Sequence, residues 1–233
     1  MRPREHTDSQ FENDLHQLRN ALLYMGGEIE KSITDGMRAL LESNEALARQ
    51  TIQRDHLINC LEVEIDDLCL KILALRQPAA SDLRFITTTL KIVTDLERIG
   101  DLASHVAERA AELSQQPRLG PYLALGHMAE LAQQMLKDAL DAFVQRDADL
   151  AEKVIALDSQ VDQLNSGNFR ELLKLMTDDP KAVARGISLI NVSKYVERIG
   201  DHATNIAEMV IFMVRGKDVR HLHSRQEQNR GSS

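Results

Sequence analysis

Two stretches of this sequence carry carboxylates at a spacing that could hold a cation. Glu97, Asp101, His105 and Glu108 are four, four and three residues apart, and Glu197, Asp201, Asn205 and Glu208 repeat that spacing. Residues three and four apart share a helix face, so each set forms one stripe. Like charges at i and i+4 destabilise a helix by roughly 0.2–0.5 kcal/mol, and partial burial adds to that cost. The doubled arrangement therefore predicts a compensating cation. Arg98 and Arg198 adjoin the acids in sequence but point about 100° away around the helix, so they meet only part of that need. A second pair of stripes is available: Asp55, Asn59, Glu62 and Asp66 at spacings of four, three and four, and Asp158, Asp162 and Asn165 at four and three. Facing pairs on adjacent helices offer four or more oxygens. That donor set suits Fe³⁺, Mn²⁺, Mg²⁺ or Ca²⁺ and differs from the sulfur-rich tetrahedron of structural zinc. Spacing alone leaves open a solvated acidic face with ordinary Lys and Arg neighbours, and it does not separate iron from magnesium.

Other chemistry fails specific checks. A ferritin-like di-iron centre uses Glu-x-x-His turns, whereas the one acid three residues before a histidine is Asp218, before His221. His105 and His202 lie near the repeated acids and are retained as candidate ligands, although they do not occupy matching positions. The remaining histidines read as surface residues. Cys60 and Cys69 sit nine apart in one helical pattern, about 13 Å along the axis, which is too far for a disulfide, and both read as packing residues beside Leu61 and Leu68. No glycine-rich phosphate loop and no nucleophile-base-acid triad occurs.

The elements that must carry these stripes are helices throughout. Phe11, Leu15, Leu18, Leu22, Met25, Ile29, Ile33, Met37 and Leu40 keep helical spacing, as do Ile58, Leu61, Ile65, Leu68, Ile72 and Leu75. Start signals give six helices: Ser9 with Glu12 as a capping box, Asn44, Ser81 after Pro78, Pro121, Asp147, and Asp179-Pro180. Helices of roughly 25–35 residues span about 38–53 Å and bury their apolar stripes only against equally long neighbours, which is bundle geometry. They also repeat as three plus three. Asn44-Glu-Ala-Leu-Ala48 aligns with Asp147-Ala-Asp-Leu-Ala151 at an offset of 103, and Glu97-Arg98-Ile99-Gly100-Asp101 recurs unchanged as Glu197-Arg198-Ile199-Gly200-Asp201. The seams Ile92, Leu96, Ile99, Ala103, Val106, Ala110 and Val192, Val196, Ile199, Ala203, Ile206, Val210 share one register. Gly100 and Gly200 each cost about 1 kcal/mol relative to alanine in mid-helix, which predicts the close approach of a neighbouring helix backbone at both.

Composition bounds the rest. In 233 residues there are 43% apolar residues and 3% aromatics, enough for one large core or two small ones. The net charge of −8 becomes −11 without residues 215–233, where five Lys+Arg oppose two Asp+Glu. An acidic body of this kind excludes a phosphate backbone as a natural partner. No apolar run approaches the roughly 20 residues of a membrane helix, so a cytoplasmic protein is expected.

Four stretches together carry a resemblance: Leu61-Glu-Val-Glu-Ile-Asp66-Asp67; Leu73-Ala-Leu-Arg-Gln-Pro78-Ala-Ala-Ser-Asp82-Leu-Arg84; Leu90 through Asp101; and Tyr195 through Glu208. They closely resemble the PhoU family of phosphate-signalling proteins, along nearly the whole chain. The resemblance implies an all-α fold of six long helices in two tandem three-helix bundles, residues 9–116 and 119–216, related by an internal pseudo-two-fold and followed by a basic tail at 217–233. It implies multinuclear metal clusters, iron first among the metals with manganese or magnesium as alternatives. The family motif falls on Glu97 and Asp101, with Asp55 and Asn59 as the partner pair, and on Glu197 and Asp201, with Asp158 and Asp162. Asn59 supplies an amide where the second half has a carboxylate, so tighter binding is expected in the second half. The implied role is non-enzymatic: repression of the phosphate-starvation (Pho) regulon by an adaptor joining the ATPase subunit of the phosphate ABC transporter (PstB-like) to the sensor histidine kinase (PhoR-like). Such proteins are cytoplasmic and often homodimeric, and reach the membrane only through these partners. A di-metal hydrolase of phosphoesters is the alternative.

Overall fold

The computed structural model describes residues 4–120 and 123–216. Six helices follow one another: α1 Arg4–Glu42, α2 Glu45–Arg76, α3 Ala80–Ser114, α4 Leu123–Gln145, α5 Ala148–Asp178 and α6 Val183–Arg215. There is no strand among the described residues, and no helix there is long and apolar enough to cross a membrane. The sequence expectations for Pro121 and for the tail at 217–233 fall outside the described residues.

Local chemistry explains two of the turns in the same way. α1 ends with Ser43 in the left-handed region (φ 55°), where Ser43 N–H donates to Leu40 O at 3.4 Å and Asn44 N–H to Ala39 O at 2.9 Å. α4 ends identically, with Arg146 at φ 56° donating to Phe143 O at 3.3 Å and Asp147 to Ala142 O at 2.9 Å. These are Schellman closures, which satisfy the last carbonyls of each helix. The following residue then caps the next helix: Asn44 Oδ1 accepts from Leu47 N–H at 3.1 Å, and Asp147 Oδ1 from Asp149 and Leu150 N–H at 2.9 and 3.0 Å. Such caps are worth about 1 kcal/mol each.

Three expected starts are corrected. Helix α1 begins at Arg4, so Ser9 lies inside it. Helix α3 begins at Ala80 behind Ala79, which offers no side-chain cap, so Ser81 is a first-turn residue. Asp179 caps a 3₁₀ turn, Pro180–Ala182, and α6 proper starts at Val183.

Within each half, the three helices pack on one another; the halves join through α3 against α6 and α1 against α4. The apolar seams run together into one continuous core. Every seam residue expected in α3 and α6 is buried; in α2, Leu75 is instead 64% exposed. The pseudo-two-fold shows in matched rungs. Across α3 and α6, Asn205 Nδ2 donates to Asp95 Oδ1 at 3.3 Å, and the repeat mates of those residues, His105 and Tyr195, stack with centroids 5.3 Å apart. Across α1 and α4, Thr34 Oγ1 donates to Gln133 Oε1 at 3.1 Å, and their mates Glu30 and Lys137 attract one another.

The halves differ in what polar groups they bury. In the first, Arg54 is only 8% exposed and lies 2.9 Å from Asp35 and 3.6 Å from Glu28. Its repeat mate is Leu157. In the second, Asn168 donates to Ser193 at 3.1 Å and Ser193 to Asn165 at 2.8 Å, where the first half places Ile65 and Val93 at the two buried positions.

Candidate functional site

Helix α2 faces α3 and α5 faces α6, so the expected carboxylate stripes meet along two seams. In the first seam Asp55, Asn59, Glu97 and Asp101 are all half-buried. Loss of hydration raises the Asp55 carboxyl above its ordinary range, and the nearby Asp101 and Glu108 add to this, while Asn59 and His105 oppose it. Glu97 is raised in the same way, by burial first, then by Asp101, with Glu62 and Asp55 contributing and Arg98 opposing. Glu62 and Asp66 are also raised, chiefly by burial. Asn59 Nδ2 turns toward Asp55 Oδ2 at 3.4 Å. That leaves Asp55 Oδ1, Asn59 Oδ1 and Asp66 Oδ1 buried without a hydrogen-bond donor. Buried acceptors in this state cost about 1–3 kcal/mol each.

In the second seam Asp158 and Glu197 are half-buried, while Asp162 and Asp201 are exposed at their outer edges. Asp201 has the largest perturbation among the acids here, its carboxyl pushed up to about 6 by lost hydration, then by Glu197 and Asp158, with Lys194 opposing. Asp158 is raised by burial and by Asp162, and Thr204 Oγ1, at 3.4 Å, partly offsets this by donating to it. Both seams are thus places where negative charge is held against a desolvation and repulsion cost, which a bound cation would relieve.

Side-chain cations already stand beside the acids. Arg98 reaches Glu97 at 3.4 Å and Asp101 at 3.6 Å, bridging the pair despite its offset around the helix. Its long stem supplies the reach that direction alone denied it. In the second half the cation is Lys194, whose Nζ lies 2.5 and 2.6 Å from the two Glu197 oxygens. Neither Lys194 nor Thr204 was expected; both sit one turn from an acid of the stripe, at i−3 from Glu197 and i+3 from Asp201, and that spacing was the available signal.

His202 does not join the second seam. Its Nδ1 lies 2.7 Å from Asp95 Oδ1, across the junction between halves. His105 is exposed and stacks on Tyr195. Cys69 is buried, but Cys60 is exposed beside His56, so only one of the two cysteines packs in the core. The mid-helix glycines also divide. At Gly100 a Cβ would come within 2.9 Å of Ile58 Cγ2, so the close neighbour is a side chain and not a backbone. At Gly200 the same contact is an ordinary 3.5 Å, because the mate of Ile58 is the smaller Val161.

As metal donors the two seams fit a hard cation by chemistry, carboxylates and one amide oxygen, and the three buried oxygens without a donor all lie in the first seam. Among the described residues no three histidine, cysteine or carboxylate side chains are already gathered around one point. Ion binding at either seam therefore calls for the facing pairs to draw together.

The family model for the PhoU domain matches residues 22–110 and again residues 125–210, one copy in each half. The chain belongs to the PhoU family. It is 47% identical over 220 residues to the phosphate-specific transport system accessory protein PhoU homolog of Pseudomonas aeruginosa, covering 93% of this chain and 90% of that one. It is 35% identical over 218 residues to the Escherichia coli accessory protein PhoU, covering 94% and 90%. Two crystal structures share the PhoU fold described above. PhoU from Pseudomonas aeruginosa superimposes with a TM-score of 0.84 at 46% identity, covering 89% of this chain and 100% of that one. The phosphate transport system regulatory protein PhoU from Streptococcus pneumoniae does so at 0.83 and 30% identity, covering 90% and 99%.

Proposed function

We propose that this protein is a non-enzymatic, cytoplasmic regulator of phosphate uptake that represses the phosphate-starvation regulon when phosphate is plentiful. In this reading it acts as a homodimeric adaptor between the ATPase subunit of the phosphate transporter and the sensor histidine kinase. The observation that carries the reading is similarity along nearly the whole chain to proteins named as accessory to the phosphate-specific transport system. The chemistry of the molecule supports it: long charged helix faces and two carboxylate seams are features of a protein that works through contacts.

Asp55, Asn59, Glu97 and Asp101 would hold one cation site, and Asp158, Asp162, Glu197 and Asp201 the other, iron being the first candidate. A bound ion supplies charge neutralisation that joins α2 to α3 and α5 to α6. The protein's own part is to place hard oxygens on facing helices and to keep Arg98 and Lys194 beside them.

The test is genetic. Deleting the gene is expected to switch on a phosphate-starvation promoter under high phosphate, and the wild-type chain to restore repression. An unchanged promoter would sink the regulatory reading. Metal turnover of phosphoesters by the purified chain would instead favour a di-metal hydrolase. For the metal sites, elemental analysis of Asp201→Ala is expected to show reduced bound metal relative to wild type.

A further inference from the structure

The seam of the second half continues into a surface that differs from its repeat mate at four positions, Phe169, Arg170, Ile187 and Lys194, and shares with it an exposed Leu-Lys pair. Along α5 the stripe runs Asp158, Asp162, Asn165, Phe169, Leu173, and along α6 it runs Asp201, Glu197, Lys194, Ile190, Ile187, each at helical spacing of three or four. Moving from the acids toward the α5–α6 turn, the surface changes from acidic to basic and apolar. Phe169, Leu173 and Ile187 are 49%, 48% and 50% exposed. Arg170, Lys174 and Lys194 are exposed around them. Between the helices lies a groove of about 470 Å³ lined by Asn165, Ser166, Phe169, Arg170, Asn191 and Lys194, among others.

The comparison with the first half decides what this surface is for. Phe169-Arg170 stands where the first half has Asp66-Asp67, Ile187 where it has Thr87, and Lys194 where it has Thr94. Two adjacent positions thus pass from two negative charges to an aromatic and a positive charge. A merely solvated helix face has no use for a half-exposed phenylalanine, isoleucine and leucine side by side.

We propose that this groove and the apolar surface beside it dock an acidic amphipathic segment of another protein, with two large apolar side chains seated on Phe169, Leu173 and Ile187 and carboxylates facing Arg170 and Lys174. Charge complementarity selects the acidic partner: in a chain of net charge −8, this is a place where a negative segment meets positive groups. A flat anionic membrane does not suit it. Glu197 lies one turn from Lys194 on the same stripe and pairs with it at 2.5 Å. A bilayer touching the patch would bring the acids within the Debye length of about 8 Å, whereas a narrow segment crossing the hairpin avoids them. The inference does not depend on the partners proposed above, because the surface itself is assayed.

The experiment selects random 16-residue displayed peptides on the purified full chain and then compares their affinity for it and for Phe169→Ser/Lys174→Glu. All of these side chains are exposed, and circular dichroism checks that the variant folds; Arg170→Asp, which copies the first half, serves as a second variant. Selected peptides are expected to carry acids flanking two large apolar residues, and to lose about tenfold or more in affinity for either variant, with no loss for Leu70→Ser/Lys71→Glu, at the first-half mates of Leu173 and Lys174. Selection of basic or uncharged peptides, or equal binding to wild type and both variants, overturns the proposal. So does loss of self-association in Phe169→Ser/Lys174→Glu, which would make a second copy the occupant. Phe169-dependent binding to vesicles containing phosphatidylserine would overturn it too.

Discussion

Asp201 carries a cost that can be read from its titration. Its carboxyl ionises near 6 in the folded chain against 3.8 when unperturbed. A folded-state pKa above the unfolded one means that the native state binds the proton more tightly. The associated stability is complete below 3.8 and is lost as pH rises through about 6. Asp55, Glu62, Asp66, Glu97 and Asp158 are shifted in the same direction. Chelator-treated protein should therefore melt at a higher temperature at pH 5 than at pH 7. Asp201→Asn should be more stable than wild type at pH 7, by about 1 kcal/mol once solvent screening of this exposed group is allowed for, and should gain less on acidification. A lower melting temperature for Asp201→Asn at pH 7 would contradict this. Adding a tightly bound hard cation should reverse the order, because the wild-type carboxylate then has a partner. The two glycines make a second residue-scale prediction. Gly100→Ala forces a Cβ against Ile58 and should destabilise by about 1–2 kcal/mol net of the helix-propensity gain, and Ile58→Val should rescue it. Gly200→Ala meets only ordinary contacts and should be neutral or stabilising by up to about 1 kcal/mol. Chemical denaturation of the three variants reads the difference.

Helices fold here on local instructions and are joined by distant ones. The α1–α2 and α4–α5 turns were legible because Asn44 and Asp147 carry their signal at the position that uses it. Ser9 and Ser81 were misleading because a serine three or four residues before other helix formers is equally at home inside a first turn or beyond it. The facing of α2 on α3 and α5 on α6 followed from carboxylates that made sense only as pairs. Arg54 could not be read in this way. Its partners lie at Glu28, Ser32 and Asp35, another helix altogether, and nothing in its own neighbourhood marks it as buried. Its burial yields an element-scale prediction. Arg54→Leu or Asp35→Leu alone leaves a desolvated charge without its closest partner and should cost about 3 kcal/mol or more, whereas the double variant should cost clearly less than the sum. Additive losses in a double-mutant cycle would show that the pair does not act as a unit.

The whole molecule is two copies of a three-helix unit sharing one core across α3–α6 and α1–α4. Separating them exposes apolar surface that neither copy can cover alone. A fragment of residues 4–120 is therefore expected to elute as a dimer, since its α1 and α3 faces have the repeat mates of the faces they lost; a well-folded monomer would show that the junction contributes little to stability. The duplication itself was legible from five identical residues. What distinguishes the copies was not, because differences between aligned positions acquire meaning only once it is known which of them point outward: Arg170 for Asp67 on the surface, Asn168 for Ile65 within.

The rungs across α3 and α6 carry a consequence for how such a molecule can change. In a dimer of separate identical chains, any replacement near the axis is made twice, so an ionic rung on one side compels the same rung on the other. Covalent fusion removes that compulsion. Asp95 meets His202 and Asn205, while Tyr195, at the corresponding place, stacks on His105. One side of the junction is held by hydrogen bonds to a carboxylate and the other by stacked rings, so the molecule has a left and a right, and its two ends are free to be recognised by different proteins.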